Sequence, residues 1–208
     1  RALTNATLPY AWQTDTCIGG WHYDRGIYDR NLYKNAKTVI HMLVDIVSKN
    51  GNLLLNIPVR GDGSIDDKEI HVLEGIAAWM DVNKEAIFAS RPWKTFGEGP
   101  ASEGTTLSGQ GFNEGRGKPF TAEDVRYTVS KDGRTLYAIV LGWPAGTTTL
   151  KSLGTDAKLL DRPIAGVTLL GRGNVSWKQT AAGLEVTGVP GAPAAEAADA
   201  AVFKIALR

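Results

Sequence analysis

The sequence predicts an α/β segment followed by an antiparallel all-β segment, and three observations carry that prediction. A short apolar run, Asn52–Ile57, sits between two amphipathic helical patterns. The texture changes after Asn83, and the stretch 97–119 is glycine-rich with no long apolar run. From Val125 onward, strand-like segments recur at spacings of about 8–12 residues, the rhythm of a sandwich or barrel.

Taken in order, residues 1–32 read as a loop-like segment in which Tyr10, Trp12, Trp21, His22, Tyr23 and Tyr28 alternate with Gly19, Gly20 and Gly26. Flat rings beside glycines suit a sugar-binding loop, because rings stack on apolar sugar faces and glycine lets the backbone come close. Rings packed on the rest of the fold are the equal alternative. Ala36, Val39, Ile40, Leu43, Val44 and Val47 then recur at helical spacing within Tyr33–Lys49, and Asn50-Gly51 supplies a left-handed stop. Asn52–Ile57 follows as a strand expected to be buried on both faces, with its C-terminal end turned to a ligand. Ser64–Val82 repeats the helical period behind a capping box of Asp66 and Glu69. Gly61-Asp62-Gly63 lacks the Lys-Ser/Thr pair of a phosphate loop and reads as a tight turn.

Beyond the glycine-rich stretch, Val125–Ser130 and Thr135–Leu141 flank a hairpin turn at 131–134. Further strands are expected at Thr147–Ser152, Lys158–Leu160, Val167–Leu170, Val175–Thr180, Leu184–Thr187 and Ala201–Leu207, with Gly191–Ala200 a loop before the last.

With 23 basic and 22 acidic residues among 208, the net charge of +1 argues for neither nucleic acid nor membrane surface as a partner. No apolar run reaches transmembrane length. Cys17 is the single cysteine, so an internal disulfide is excluded. The chain opens on Arg1 rather than Met and without a regular pattern, which suggests a fragment of a longer polypeptide or its processed C-terminal part. Candidates for chemistry are few. His22, His41 and His71 lack metal-ligand spacing, so neither a metal nor another cofactor is expected, and Cys17 has no CxxC partner. Asp15, Asp24, Asp29, Asp45 and Asp62 are available carboxylates, but spacing pairs none of them, and Asp45 inside a helix reads as structural. Asn56 reads as a backbone-capping amide and Arg60 as a solvent-facing charge at the strand's C-terminal end.

Three blocks are recognisable: Trp12-Gln13-Thr14-Asp15-Thr16-Cys17-Ile18-Gly19, then Trp21-His22-Tyr23, then the run from Leu43 through Asn50-Gly51-Asn52-Leu53-Leu54-Leu55-Asn56. With Gly61-Asp62-Gly63, the helix end Trp79–Asn83 and the stretch Glu85–Trp93, they closely resemble the α-L-fucosidases of glycoside hydrolase family 29. The resemblance is dense over 12–98, fairer over 112–153 and faint beyond.

The resemblance implies C-terminal segments of a TIM-like (β/α) barrel over residues 1–96, then a linker and antiparallel β-sandwich over 97–208. It implies a retaining exo-glycosidase that removes terminal α-linked L-fucose from glycoconjugates or oligosaccharides. The nucleophilic aspartate and the acid/base glutamate are then expected on the N-terminal part of the same polypeptide, not in this chain. Trp21 matches a position where an aromatic ring packs on the C5 methyl of fucose, and Trp12 is expected to border the same pocket. Gln13 stands where many relatives have glutamate. The implied partners are a fucosylated glycan and that N-terminal part, with further copies of the chain admitted; a secreted, periplasmic or lysosomal-like compartment fits the family. Two rivals stay open: a non-catalytic glycan-binding or scaffold protein with a vestigial barrel, and a related glycosidase preferring galactosides.

Overall fold

The computed structural model describes residues 4–103, 107, 116–193 and 198–208. Arg1, about half of the glycine-rich stretch and part of the Gly191–Ala200 segment lie outside the described residues.

Trp12–Cys17 is a strand, β1, where the sequence reading expects a loop. Trp12, Thr14 and Thr16 alternate with Gln13, Asp15 and Cys17, a period-2 pattern too short to stand out among the surrounding rings and glycines. A short helix α1 (Arg25–Asp29) and a longer one, α2 (Ala36–Ser48), follow before the chain returns as β2 (Gly51–Asn56). Parallel strands cannot be joined by a tight turn, and α1–α2 form the crossover. The two strands pair in parallel from Trp12↔Gly51 to Cys17↔Asn56. Asn35 caps α2 by accepting from the Thr38 N–H at 2.9 Å, and Asn50 ends it at φ 71°, a left-handed residue at the expected stop.

β2 is covered on one face only, which corrects the expectation of a strand buried on both. Leu53, Leu55 and Ile57 pack against Val39, Met42, Ile46 and Val72 of the helices, while Leu54, on the opposite face, is 52% exposed. Both helices lie on the same side of a two-stranded sheet, so alternate side chains meet no cover. The described residues of this first part form an open parallel pair and not a closed barrel. Helix α3 (Asp67–Asn83) starts at the expected capping box: Asp66 accepts from the Glu69 N–H at 2.7 Å, and Glu69 accepts from the Asp66 N–H at 2.9 Å.

The rest is a β-sandwich. Strands β3 (Ser90–Glu98), β4 (Val125–Ser130), β5 (Thr135–Val140), β7 (Ile164–Leu169), β8 (Gly173–Asn174) and β11 (Ala201–Leu207) form a six-stranded sheet ordered β3-β4-β5-β11-β7-β8, antiparallel throughout. A second sheet, β6-β10-β9, consists of Thr148–Leu150, Leu184–Thr187 and Ser176–Gln179. β3 is a strand the sequence reading does not contain. Pro92 interrupts its pattern, and proline suits an edge strand whose N–H faces away from the ladder. Lys158–Leu160 is not a strand, because Lys158 follows a 3-10 turn with a left-handed φ of 54°.

Alternation on the central strands makes the six-stranded sheet two-faced. Tyr127, Leu136, Ala138, Val140, Phe203 and Ile205 point to the second sheet and pack with Leu150, Leu184 and Val186. Tyr137, Ile139, Leu141 and Val202 point the other way and pack on Ile40, Val44, Trp79 and Ile87. This second layer docks the helices onto the sandwich, and polar groups set its register. The Trp79 Nε1–H donates to the Ala200 carbonyl at 3.0 Å, and the Thr128 hydroxyl donates to the Ala86 carbonyl at 2.7 Å. Arg126 projects from the same face of β4 as Thr128, and its Nε lies 2.9 Å from Asp45 Oδ1 in α2, which also accepts Lys49 Nζ at 2.9 Å. All three side chains are fully buried. The two cations sit beside the Phe96 ring, at 4.7 Å for Lys49 and 5.2 Å for Arg126.

Asp45→Asn takes the shared anion from two buried cations and should lower the unfolding free energy by about 3–5 kcal/mol in urea titrations. Arg126→Met leaves the Asp45–Lys49 pair in place and should cost less. His41, buried beside the Asp199 carbonyl at 2.7 Å, supplies a pH test. Burial pushes its pKa down, Lys37 adds to that push, and the Asp199 carbonyl and Asp124 oppose it. The folded state therefore prefers the neutral ring. Its contribution is present above about pH 6.5 and lost as the pH falls below that. His41→Gln should flatten the acid limb of a Tm-against-pH curve between about pH 7 and 5.

Candidate functional site

In a parallel α/β unit the loops that leave the strands' C-terminal ends face the ligand. Here those ends are Cys17 and Asn56, directly paired. The Ile18 N–H donates to the Asn56 carbonyl at 3.2 Å, carrying the pairing one residue past β1, and buried Ile18 anchors the turn. The chain then bends back through two glycines. A Cβ on Gly19 would stand 2.8 Å from the Tyr33 ring, so only glycine lets the loop close on that ring.

Asn56 holds this loop from the other side. Its Nδ2 donates to the Gly20 and Trp21 carbonyls, each at 3.2 Å, and the Trp21 ring stands 52% exposed. The Lys34 N–H donates to the Ile18 carbonyl at 2.8 Å and its Nζ to the Cys17 carbonyl at 2.6 Å. The Cys17 thiol donates to the Gly19 carbonyl at 3.0 Å. Farther on, the loop is tied to the start of α3. The Tyr33 hydroxyl donates to Asp66 at 2.7 Å, the Tyr28 hydroxyl to Asp67 at 2.9 Å, and Lys68 Nζ to the Tyr28 carbonyl at 2.7 Å. Burial pushes Asp66 up, but hydrogen bonds from the Glu69 N–H and the Tyr33 hydroxyl outweigh it and hold its pKa below the ordinary carboxylate value. Arg60 is not simply solvent-facing. Its Nη1 donates to the Ser64 hydroxyl at 3.3 Å and the Ile65 carbonyl at 3.2 Å, and its guanidinium lies 5.6 Å from the Tyr23 ring centroid. It braces the β2–α3 loop against the aromatic loop.

The uncovered face of the pair carries Gln13, Asp15 and Cys17 from β1 and Asn52, Leu54 and Asn56 from β2. Gln13 Nε2 donates to Asp15 at 3.0 Å, and neither strand presents a second carboxylate there. Trp12 and Trp21, expected to border one pocket, stand at opposite ends of β1, roughly 15–20 Å apart by strand rise. Trp12 is buried, its Nε1–H donates to the Lys49 carbonyl at 2.9 Å, and its ring lies across Gly51. His22 and His71 are exposed and His41 is buried at the sandwich, so the three are not brought together. Among the described residues no three His, Cys, Asp or Glu side chains gather as a metal site. Asn56 is the backbone-capping amide the sequence reading expects, but that reading does not name its partners, the Gly20 and Trp21 carbonyls. Its only advance signal is a polar amide closing an apolar run just ahead of Pro58.

Two family models match the chain: one described as Alpha-L-fucosidase over residues 1–85, and one described as Alpha-L-fucosidase C-terminal domain over 118–206. Human plasma alpha-L-fucosidase is 30% identical over 175 residues, covering 82% of this chain and 32% of that protein. Bovine tissue alpha-L-fucosidase is 32% identical over 141 residues, covering 66% of this chain and 25% of that protein. Among solved structures, alpha-L-fucosidase isoenzyme 1 from Paenibacillus thiaminolyticus superimposes with a TM-score of 0.67 at 25% identity, over 96% of this chain and 40% of that one. The Thermotoga maritima alpha-fucosidase solved with fucose shares the fold, with a TM-score of 0.68 at 24% identity over 95% of this chain and 40% of that one. The chain thus spans about a third of the length of the curated relatives it matches.

The contact between Trp12 and Gly51 gives a structural test. A Cβ on Gly51 would lie 2.5 Å from the Trp12 indole. Gly51→Ala should therefore cost about 1–3 kcal/mol of stability through overpacking, and should perturb near-ultraviolet tryptophan circular dichroism.

Proposed function

The chain belongs to the α-L-fucosidase family of glycoside hydrolases, and on that premise we propose that the protein carrying it is a retaining α-L-fucosidase acting on terminal α-linked L-fucose of glycoconjugates or oligosaccharides. The observation that carries the reading is the parallel β1–β2 pair with a half-exposed tryptophan held at its C-terminal end. Helices on one face and an open opposite face are what two adjacent strands of a (β/α) barrel present when seen by themselves. On this reading the elements through α3 supply the last segments of the barrel, and β3 (Ser90–Glu98), paired with β4, is already the first strand of the sandwich. The open face of β1 and β2 then looks into the barrel, and the N-terminal part of the same polypeptide supplies the neighbouring strands.

Retaining hydrolysis uses two carboxyl groups about 5–5.5 Å apart. A carboxylate attacks the anomeric carbon as an acid protonates the departing oxygen. Water then attacks the glycosyl-enzyme, and the second carboxyl, now a base, takes its proton. The single carboxylate that β1 and β2 present on the open face supports assigning the nucleophilic aspartate and the acid/base glutamate to that N-terminal part. What this chain contributes is recognition. Trp21, half exposed beyond the C-terminal end of the pair, is assigned the C5 methyl of fucose, the group that galactose replaces with a hydroxymethyl. Trp12, inside the helix-facing layer, supports the strand wall and does not reach the sugar.

The test uses the polypeptide that includes the N-terminal part. An NMR time course on an aryl α-L-fucoside should show the α anomer of fucose as the first product. A β first product, or no hydrolysis, removes the reading. Trp21→Ala should lower kcat/KM for the fucoside by about tenfold or more, since one methyl-sized contact is worth ~1–3 kcal/mol. The loss on the matching galactoside should be smaller; equal losses would argue against the methyl contact and leave the galactoside-preferring alternative standing.

A further inference from the structure

We propose that Asn56 is a positioning residue for sugar discrimination: one side-chain amide fixes the loop that presents Trp21, and so sets how well the site separates a 6-deoxy sugar from its hydroxymethyl counterpart. The inference deepens the fucosidase reading and rests on it.

Three contacts from one residue converge on the loop. The Asn56 carbonyl accepts the Ile18 N–H at 3.2 Å, and the two hydrogens of Nδ2 serve the Gly20 and Trp21 carbonyls at 3.2 Å each. Donor and acceptors match one for one, which an aspartate or leucine of the same shape cannot reproduce. The other loop contacts stop short of Trp21: Lys34 serves the Ile18 and Cys17 carbonyls and the Cys17 thiol serves Gly19, and the Trp21 residue is half exposed. Where the ring can stand therefore depends on where its own peptide is pinned. Asn56 in turn is the last residue of β2, whose Leu53 and Leu55 are packed against the helices. The amide thus transfers the position of a packed strand to the peptide that carries the exposed Trp21 ring, without touching the sugar.

The experiment is a double-mutant cycle on the polypeptide that includes the N-terminal part. It reads the ratio of kcat/KM for an aryl α-L-fucoside to that for the matching α-L-galactoside. Asn56→Asp replaces two donors by an anion facing two carbonyl oxygens. It should lower the ratio by about tenfold, the lower end of what one methyl-sized contact provides. In a Trp21→Ala background the same change should leave the ratio unaltered, because the ring it positions is gone. If Asn56→Asp does not fold, Asn56→Ser, whose hydroxyl is too short to serve both carbonyls, carries the same cycle. A ratio unchanged in an active Asn56 variant, or a fall of equal size with and without Trp21, overturns the inference while leaving the fucosidase reading intact. A parent protein that hydrolyses neither substrate overturns both.

Discussion

A buried carboxylate, Asp45, is the point on which the arrangement of this chain turns. It lies in α2, accepts from Lys49 one turn along the same helix, and accepts from Arg126 on β4. A buried ion pair is a poor source of net stability, because desolvation cancels most of the attraction. Its effect is on alternatives. If α2 slides or rolls against the six-stranded sheet, a fully buried guanidinium loses its carboxylate, at a cost of several kcal/mol. The apolar layer of Ile40, Val44, Trp79, Ile139 and Val202 supplies attraction without direction, and the charge cluster selects one docking among many.

From that fixed helix a chain of contacts runs to the candidate site. The last turn of α2 presents the Lys49 carbonyl to Trp12, Trp12 lies across Gly51, and β1 and β2 are thereby held in register. β2 ends in Asn56, which grips the Trp21 loop. The other side of that loop is tied to the capped start of α3 through Tyr33 and Tyr28. Each link is a hydrogen bond or a close contact between elements adjacent in the fold, so the exposed ring inherits its placement from buried structure.

How much of this could be read in the sequence depended on whether a feature was local. Helical periodicity located α2 and α3, and the capping box and the left-handed Asn50 stop appeared where residue types placed them. Strands β4, β10 and β11 matched period-2 runs, and the 131–134 hairpin matched its turn residues. β1 and β3 escaped because one is buried in aromatic-glycine texture and the other contains Pro92. The two-sided burial expected of β2 failed for a non-local reason, since a strand's cover depends on which elements lie over it. Asp45 could be called structural from its helical setting, but its partner is 81 residues away in sequence and no pattern joins them. The site was legible only in part. Trp21 stood out through a family resemblance, whereas the Asn56 contacts are to backbone carbonyls about 35 residues distant, which side-chain identities do not encode.

The order of the six-stranded sheet has a consequence for how such a chain is made. β11, last in sequence among the strands, lies in the middle of the sheet between β5 and β7. The residues just ahead of it, Asp199 and Ala200, receive His41 and Trp79 from the helices. During synthesis β3-β4-β5 and β7-β8 can form as separate ribbons, and among the described strands no hydrogen-bonded neighbour links them until Ala201–Leu207 is available. Until then each ribbon shows an open edge. The six-stranded sheet therefore closes as a zipper whose slider is β11.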